Sequence, residues 1–225
     1  MTKEQLMKYI SVDSEEEKQD LDFYLDVKGV KIHQEIMDYL KFDFSDGKKI
    51  KWSDISKILK KDKKIRDKLY IYLAALEEYI RAYISNKYQD NIYQIFWIDG
   101  KQSRNKIKTN LTKGYSLFDV LQNTDFGTLI NQVKKLPNED RVAMFDSNIE
   151  INANLDAVNE LRNAVSHHKF LLNYDFKNCY VGNKCNNSLE LNIINLKQLL
   201  PKRYRNGKDG KGGITKDMRK CGIHI

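Results

Sequence analysis

The sequence predicts an all-α protein, and three observations carry that expectation. Only two prolines, Pro137 and Pro201, interrupt 225 residues, so little stands in the way of long helices. Apolar side chains recur at spacings of three and four through several stretches, the period of a helix that buries one face. Hydrophobic residues make up 41% of the chain, ample for a packed core, which argues against wholesale disorder. The length suits one domain with an appendage, or at most two small domains. The expected organisation is an N-terminal helical extension over 1–60, a helical core over 61–178 and a basic C-terminal extension over 179–225.

Taken in order, Ile32, Ile36, Tyr39 and Leu40 place an amphipathic helix over residues 31–42. A turn-like FSDGKK stretch follows, and Trp52, Ile55, Ile58 and Leu59 then resume the pattern. The strongest periodic segment runs from about Lys63 to Tyr88, with Ile65, Leu69, Tyr72, Leu73, Leu76, Ile80, Tyr83 and Ile84 as its stripe. Such a helix spans roughly 39 Å. Residues 89–100 read as a partly buried loop or short helix. One or two shorter helices are expected between Tyr115 and Val133, on Leu117, Val120, Leu121, Leu129, Ile130 and Val133. Pro137 marks a turn. A second long helix is expected from Ile149 to Leu172, with Leu155, Val158, Leu161, Val165 and Phe170 facing inward. Beyond Asn173, residues 189–200 alternate ambiguously between strand and helix periods, and the glycine-rich basic end is either a flexible arm or an ordered tail.

No apolar run approaches the roughly 18–20 residues needed to span a bilayer. The N-terminus has no apolar segment followed by a small-residue cleavage site, so a cytoplasmic setting is expected. Three cysteines do not form a disulfide framework. Cys179, Cys185, Cys221 and His224 are conceivable zinc ligands, with Cys221 and His224 at a short ligand-like spacing. Cys179 and Cys185 are set wider than a usual zinc knuckle, so free cysteines and no metal or other cofactor are expected.

The net charge of +8 hides a segregation. Residues 1–47 hold 6 basic and 12 acidic side chains, whereas 48–68 hold 10 and 3, 101–135 hold 7 and 2, and 184–225 hold 10 and 3. Each basic segment alone reads as a solvated face; three together point to a polyanionic partner such as RNA. The candidate phosphate contacts are Lys48, Lys49, Lys51, Arg104, Lys106, Lys108, Lys169, Lys202, Arg203 and Arg205. Tyr204, set among the last three, is the best stacking candidate. Most other aromatics fall on periodic faces and belong to the core.

The string Leu161-Arg162-Asn163-Ala164-Val165-Ser166-His167-His168 carries the chemistry, with two of only four histidines. Arg162 and Ser166 are one helical turn apart, as are Asn163 and His167. Arg162 and His167 are five apart, about 140° beyond a full turn, so on a straight helix they diverge. Their convergence would need an interface, and a second copy of the segment could provide it. Attack of a ribose 2′-hydroxyl on its own phosphate needs an acid–base group and a fixed cation, which histidine and arginine supply without metal. Asn163 could orient the histidine or a water. The plainer reading is a helix C-terminus whose dipole favours His167, His168 and Lys169. Glu77 and Arg81 are a second i,i+4 pair, either a simple intrahelical ion pair or a support for the Arg162 helix, with Glu78 the neighbouring candidate for that support.

The segment LRNAVSHHKFLLN resembles the signature of the Abi-like (abortive infection) proteins, a phage-defence family of the HEPN superfamily. Arg162, Asn163, His167, His168 and Asn173 match it; Lys169 stands where the family usually has arginine. Glu77 and Arg81 match the family's upstream glutamate–arginine pair, and the resemblance covers about residues 60–175. It implies a HEPN-type helical bundle that dimerises and joins Arg-x4–6-His motifs from two copies into one metal-independent ribonuclease site. The products would be a 2′,3′-cyclic phosphate and a 5′-hydroxyl. His167 is then the acid–base residue, Arg162 the phosphate clamp and Asn163 the positioning residue. Glu77 and Arg81 give support, and His168 is a reserve histidine. A small noncoding RNA is an expected partner. The resulting expectation is an RNA endonuclease toxin; the alternatives are a non-catalytic binder of structured RNA and a scaffold for another protein.

Overall fold

The computed structural model describes residues 1–88, 113–145, 151–207 and 212–225. The chain is predominantly α-helical and divides into two compact units: residues 1–67 with 167–174, and residues 68–166 with 175–225.

The first unit opens with α1 (Lys3–Met7), closed by a capping box between Thr2 and Gln5. Strand β1 (Ile10–Ser11) pairs in parallel with β2 (Ile50–Lys51). Helix α2 (Glu15–Lys28) starts at Ser14, whose hydroxyl accepts from the Glu17 N–H at 3.1 Å, and three glutamates in its first turn suit the helix dipole. Gly29, at φ 80°, ends α2 and directly begins α3 (Val30–Tyr39); a side chain would strain that left-handed corner. The core comprises Leu6, Leu21, Leu25, Ile36, Met37, Trp52, Ile55 and Phe170.

Helix α4 (Trp52–Lys87) is continuous over 36 residues, roughly 54 Å. The periodicity of the sequence falters between Leu59 and Ile65, yet no helix breaker lies there: KKDKK consists of acceptable helix formers. Its residues up to Asp67 belong to the first unit and the rest to the second.

In the second unit, α4 buries Leu69, Leu73, Leu76, Ile80 and Ile84 along one stripe. Helices α5 (Leu117–Gln122) and α6 (Phe126–Lys135) are capped by Ser116 and Asp125; α7 (Asn138–Phe145) follows Pro137. Helix α8 (Ile151–Ser166) packs on α6, on the hairpin of β3 (Cys179–Val181) and β4 (Lys184–Asn186), and on α9 (Leu189–Leu199). The helix-poor Asn154 is fully buried because it docks this hairpin. Its amide donates to the Tyr180 carbonyl at 2.8 Å and accepts from the Tyr180 N–H at 2.7 Å. Asn195 of α9 donates to the Asn154 carbonyl at 2.8 Å.

Helix α8 ends at Ser166, six residues before the expected Leu172. His168 takes a left-handed conformation, φ 54°, and residues 171–173 form a 3-10 turn. The C-terminal end is ordered where described: α10 (Lys202–Asn206) packs on α11 (Gly213–Arg219). Gly213, at φ 73°, is needed there, since a Cβ would lie 2.5 Å from the Tyr204 carbonyl oxygen. Among the described residues, no helix is long and apolar enough to cross a membrane.

One buried titratable group gives the first unit a pH dependence. The His33 ring is buried, lies over Trp52 at 5.9 Å between centroids, and donates from Nδ1 to the Gly29 carbonyl at 2.8 Å. Burial pushes its pKa below the usual histidine value, with the Gly29 carbonyl opposing. The unfolded chain therefore takes up this proton first as pH falls, and stability is lost below the unfolded pKa. Acidification from about pH 7 to about pH 5 is expected to destabilise the wild type more than His33→Gln, read by urea denaturation. Equal pH dependence of the two proteins would contradict it.

Candidate functional site

Glu77 and Arg81 sit one turn apart on the part of α4 that belongs to the second unit. Arg81 is only 8% exposed, and its Nε and Nη2 are occupied. Nη2 donates to Glu77 Oε1 at 2.6 Å and to the Thr124 carbonyl at 2.8 Å, and Nε donates to the Leu121 carbonyl at 2.8 Å. The guanidinium thus satisfies carbonyls at and beyond the end of α5, where a cation is favoured by the helix dipole.

The other Glu77 oxygen, Oε2, lies 4.0 Å from Nε of Arg162 on α8. The Arg162 guanidinium also stands over the Phe126 ring at 5.9 Å. Leu161 and Val165 bury the inner face of α8, which sets Arg162 and Ser166 together at its border. Both line a recess with Tyr70, Leu73, Ala74 and Glu77. Two guanidinium groups here share one carboxylate, which among the described residues leaves one positive charge in excess. Arg81 is buried, so that charge is presented by Arg162, whose side chain is one-third exposed. The arrangement can receive an anion, and an arginine fork suits a phosphate.

Asn163 is exposed and does not line this recess. His167 is exposed and is the first residue after α8; it is counted with the first unit, as are His168 and Lys169. The chain that follows these histidines is held by a buried pair that sequence reasoning missed. Asp62 and Arg66, on α4, bond one another, and Arg66 Nη2 donates to the Lys169 carbonyl at 3.0 Å. Asp62 Oδ1 accepts from the N–H of Leu171 at 2.7 Å and of Leu172 at 3.4 Å. Burial pushes the Asp62 carboxyl up, while Arg66 and those two N–H groups pull the other way. The i,i+4 acid–arginine spacing that marked Glu77 and Arg81 was present here too. Phe126 and Tyr70 carried no such signal, because their roles depend on contacts remote in sequence.

The other candidates scatter. Lys48, Lys49 and Lys51 are exposed; Lys48 pairs with Asp46 at 3.0 Å, which raises its pKa, and Lys51 lies 3.5 Å from Asp13. Lys169, Lys202, Arg203 and Tyr204 are exposed. Arg205 is engaged internally, donating to the Leu200 carbonyl and to the Phe145 carbonyl at 3.3 Å, so its guanidinium is a structural tie. Arg104, Lys106 and Lys108 lie outside the described residues. Cys179 is buried, which pushes its thiol up to about 12, and packs with Ala157 and Leu191. Cys185 and His224 are exposed and Cys221 is buried. Among the described residues no three His, Cys, Asp or Glu side chains come together as metal ligands, so the four conceivable zinc ligands do not converge.

The two ion pairs of Glu77 differ in weight. Removing the carboxylate strands the buried Arg81, whereas removing Arg162 deletes only a partly exposed partner at 4.0 Å. Glu77→Ala is expected to cost about 3–5 kcal/mol of folding stability, and Arg162→Ala less than about 1 kcal/mol. Urea denaturation of both variants checks this; comparable losses would show that the carboxylate is not the keystone.

No family model, curated protein or solved structure matches the chain, so its own residues are what speak for this site.

Proposed function

We propose that the protein is a metal-independent RNA endonuclease of the HEPN type, acting as a toxin in abortive-infection phage defence. The observation that carries the reading is the shared Glu77 carboxylate: it holds Arg162 at a recess with one surplus positive charge. Arg162 lies in the arginine–asparagine–histidine string that resembles the Abi-like signature. Arg162 clamps the scissile phosphate and stabilises the charge that builds on its oxygens. His167 takes the proton of the ribose 2′-hydroxyl as O2′ bonds to phosphorus. The P–O5′ bond breaks, and O5′ leaves with a proton from a second acid, His168 or the corresponding histidine of a second copy. The RNA ends in a 2′,3′-cyclic phosphate and a 5′-hydroxyl. Asn163 orients the histidine or the ribose.

In this reading the active species is a homodimer in the cytoplasm, its bundle is of the HEPN type, and a small noncoding RNA is a partner. The exposed Lys48, Lys49, Lys51, Lys169, Lys202 and Arg203, with Tyr204, favour an RNA ligand in either of two functions. Non-catalytic binding of a structured RNA is the second, and it requires no new RNA ends.

Cleavage of labelled RNA in the presence of a divalent-cation chelator tests the proposal, with product-end analysis as the readout. His167→Ala is expected to lower the rate by about 10²–10⁴-fold and Arg162→Ala by about 10²–10³-fold, with helical content unchanged. Undiminished cleavage by His167→Ala removes the assignment; RNA binding without cyclic-phosphate ends selects the second function.

A further inference from the structure

Most described tyrosines are tied down. Tyr9, Tyr24 and Tyr39 pack against other rings, and the hydroxyls of Tyr72, Tyr79 and Tyr88 donate to Asp217, to the Met144 carbonyl and to Asp140. Tyr70 on α4 is different. It is 61% exposed, more than any other large apolar or aromatic side chain of the described residues, and among those residues its ring and hydroxyl have no partner. Leu69, Leu73 and Leu76 carry the packing of this part of α4 and are buried, so the core does not need the Tyr70 ring.

The ring stands at the mouth of the recess that Arg162 and Ser166 enter from α8. Ala74, one turn further along α4, also lines that recess and is too small to cover the ring. The recess has a volume of about 50 Å³, room for a few atoms and not for a nucleobase. A nucleotide whose phosphate oxygen meets Arg162 therefore leaves its base outside, against whatever borders the mouth. Tyr70 is the aromatic group of that border. An open ring beside a cation offers the two contacts that a single-stranded nucleic acid uses, stacking for the base and charge for the phosphate.

We propose that Tyr70 is a base-positioning residue: its ring stacks on the nucleobase adjoining the phosphate held by Arg162, and the Ser166 hydroxyl gives that phosphate a second donor. The inference rests on the reading of this recess as the seat of an RNA phosphate, and it adds what decides which phosphate is seated. A guanidinium alone holds every linkage of a strand equally, because phosphate contacts carry no information about the base. A stacked base fixes one linkage against Arg162 and stops the strand from sliding. Stacking requires a base whose face is free, so the nucleotide at Tyr70 is unpaired.

The test uses the full chain carrying His167→Ala, so that RNA is not consumed, and measures binding over a series of salt concentrations. The probes are an adenosine hexaribonucleotide and an abasic ribose-phosphate hexamer of the same charge. The adenosine strand is expected to bind at least about fivefold tighter than the abasic one. Tyr70→Phe is expected to keep that difference and Tyr70→Leu to erase it, with thermal stability unchanged. The salt dependence of binding is expected to be the same in all three proteins, because the phosphate contacts remain. Equal binding of the two strands overturns the proposal, as does a preference that survives Tyr70→Leu or a loss in that variant shared equally by both strands. A change of oligomeric mass in Tyr70→Leu, read by light scattering, also overturns it and makes the ring a subunit contact. Base-dependent binding that requires Tyr70, without cyclic-phosphate ends from the wild type, keeps this assignment and removes the nuclease reading. Cleavage by the wild type with no base preference traceable to Tyr70 does the reverse.

Discussion

One carboxylate shared between two guanidinium groups organises the candidate site of the second unit. Glu77 neutralises Arg81, which is buried and bonded to carbonyls at and beyond the end of α5, and its remaining oxygen faces Arg162. Without the carboxylate, two cations would face one another in a partly desolvated setting. With it, the buried arginine is satisfied and the exposed one is restrained without being saturated. That asymmetry is what makes Arg162 available to an anion: its neighbour takes the stronger, shorter bond.

The same device occurs a few turns earlier on α4. Asp62 and Arg66 are also one helical turn apart, also buried, and also bond the backbone of a segment distant in sequence. In each case the acid cancels the charge that burial would otherwise forbid, and a further N–H of the arginine fixes a carbonyl distant in sequence. A helix that carries such pairs can hold irregular chain on its surface with side-chain hydrogen bonds where no sheet is available. This explains how residues 169–172 are ordered with little regular secondary structure of their own.

Much of the helical framework was legible because periodicity reports burial directly, as in the Leu69–Ile84 stripe and the Leu155–Val165 face. Helix α4 runs on through the stretch between Leu59 and Ile65 where the apolar period lapses, since such a lapse shows only that a face is solvated or paired. Here Asp62 and Arg66 occupy the inward positions. The end of α8 was misplaced for the opposite reason. Phe170 keeps the apolar rhythm yet joins the first unit's core from outside any helix. At the site, the Glu77–Arg81 and Arg162–Ser166 relations followed from spacing of one turn. Phe126 and the Asn154 hairpin lock did not, because spacing along one helix carries no information about what another segment brings to it. Arg205 shows the limit of composition: its basic neighbours are exposed, and it is a tie.

The residue types after α8 admit a purely helical explanation, since His167, His168 and Lys169 all suit the negative end of a helix dipole. That explanation covers charge and leaves the backbone untouched. His168 adopts φ 54°, a conformation that glycine or asparagine reaches more cheaply and that costs other residues roughly 1–2 kcal/mol. A glycine at this position would end the helix at lower cost, and the dipole would still have Lys169 beside it. The chain instead carries a histidine there, one of the residues that line a recess of the first unit with Asp62 and Arg66. The strain is therefore borne by a residue of that recess and not by a glycine that would merely stop the helix.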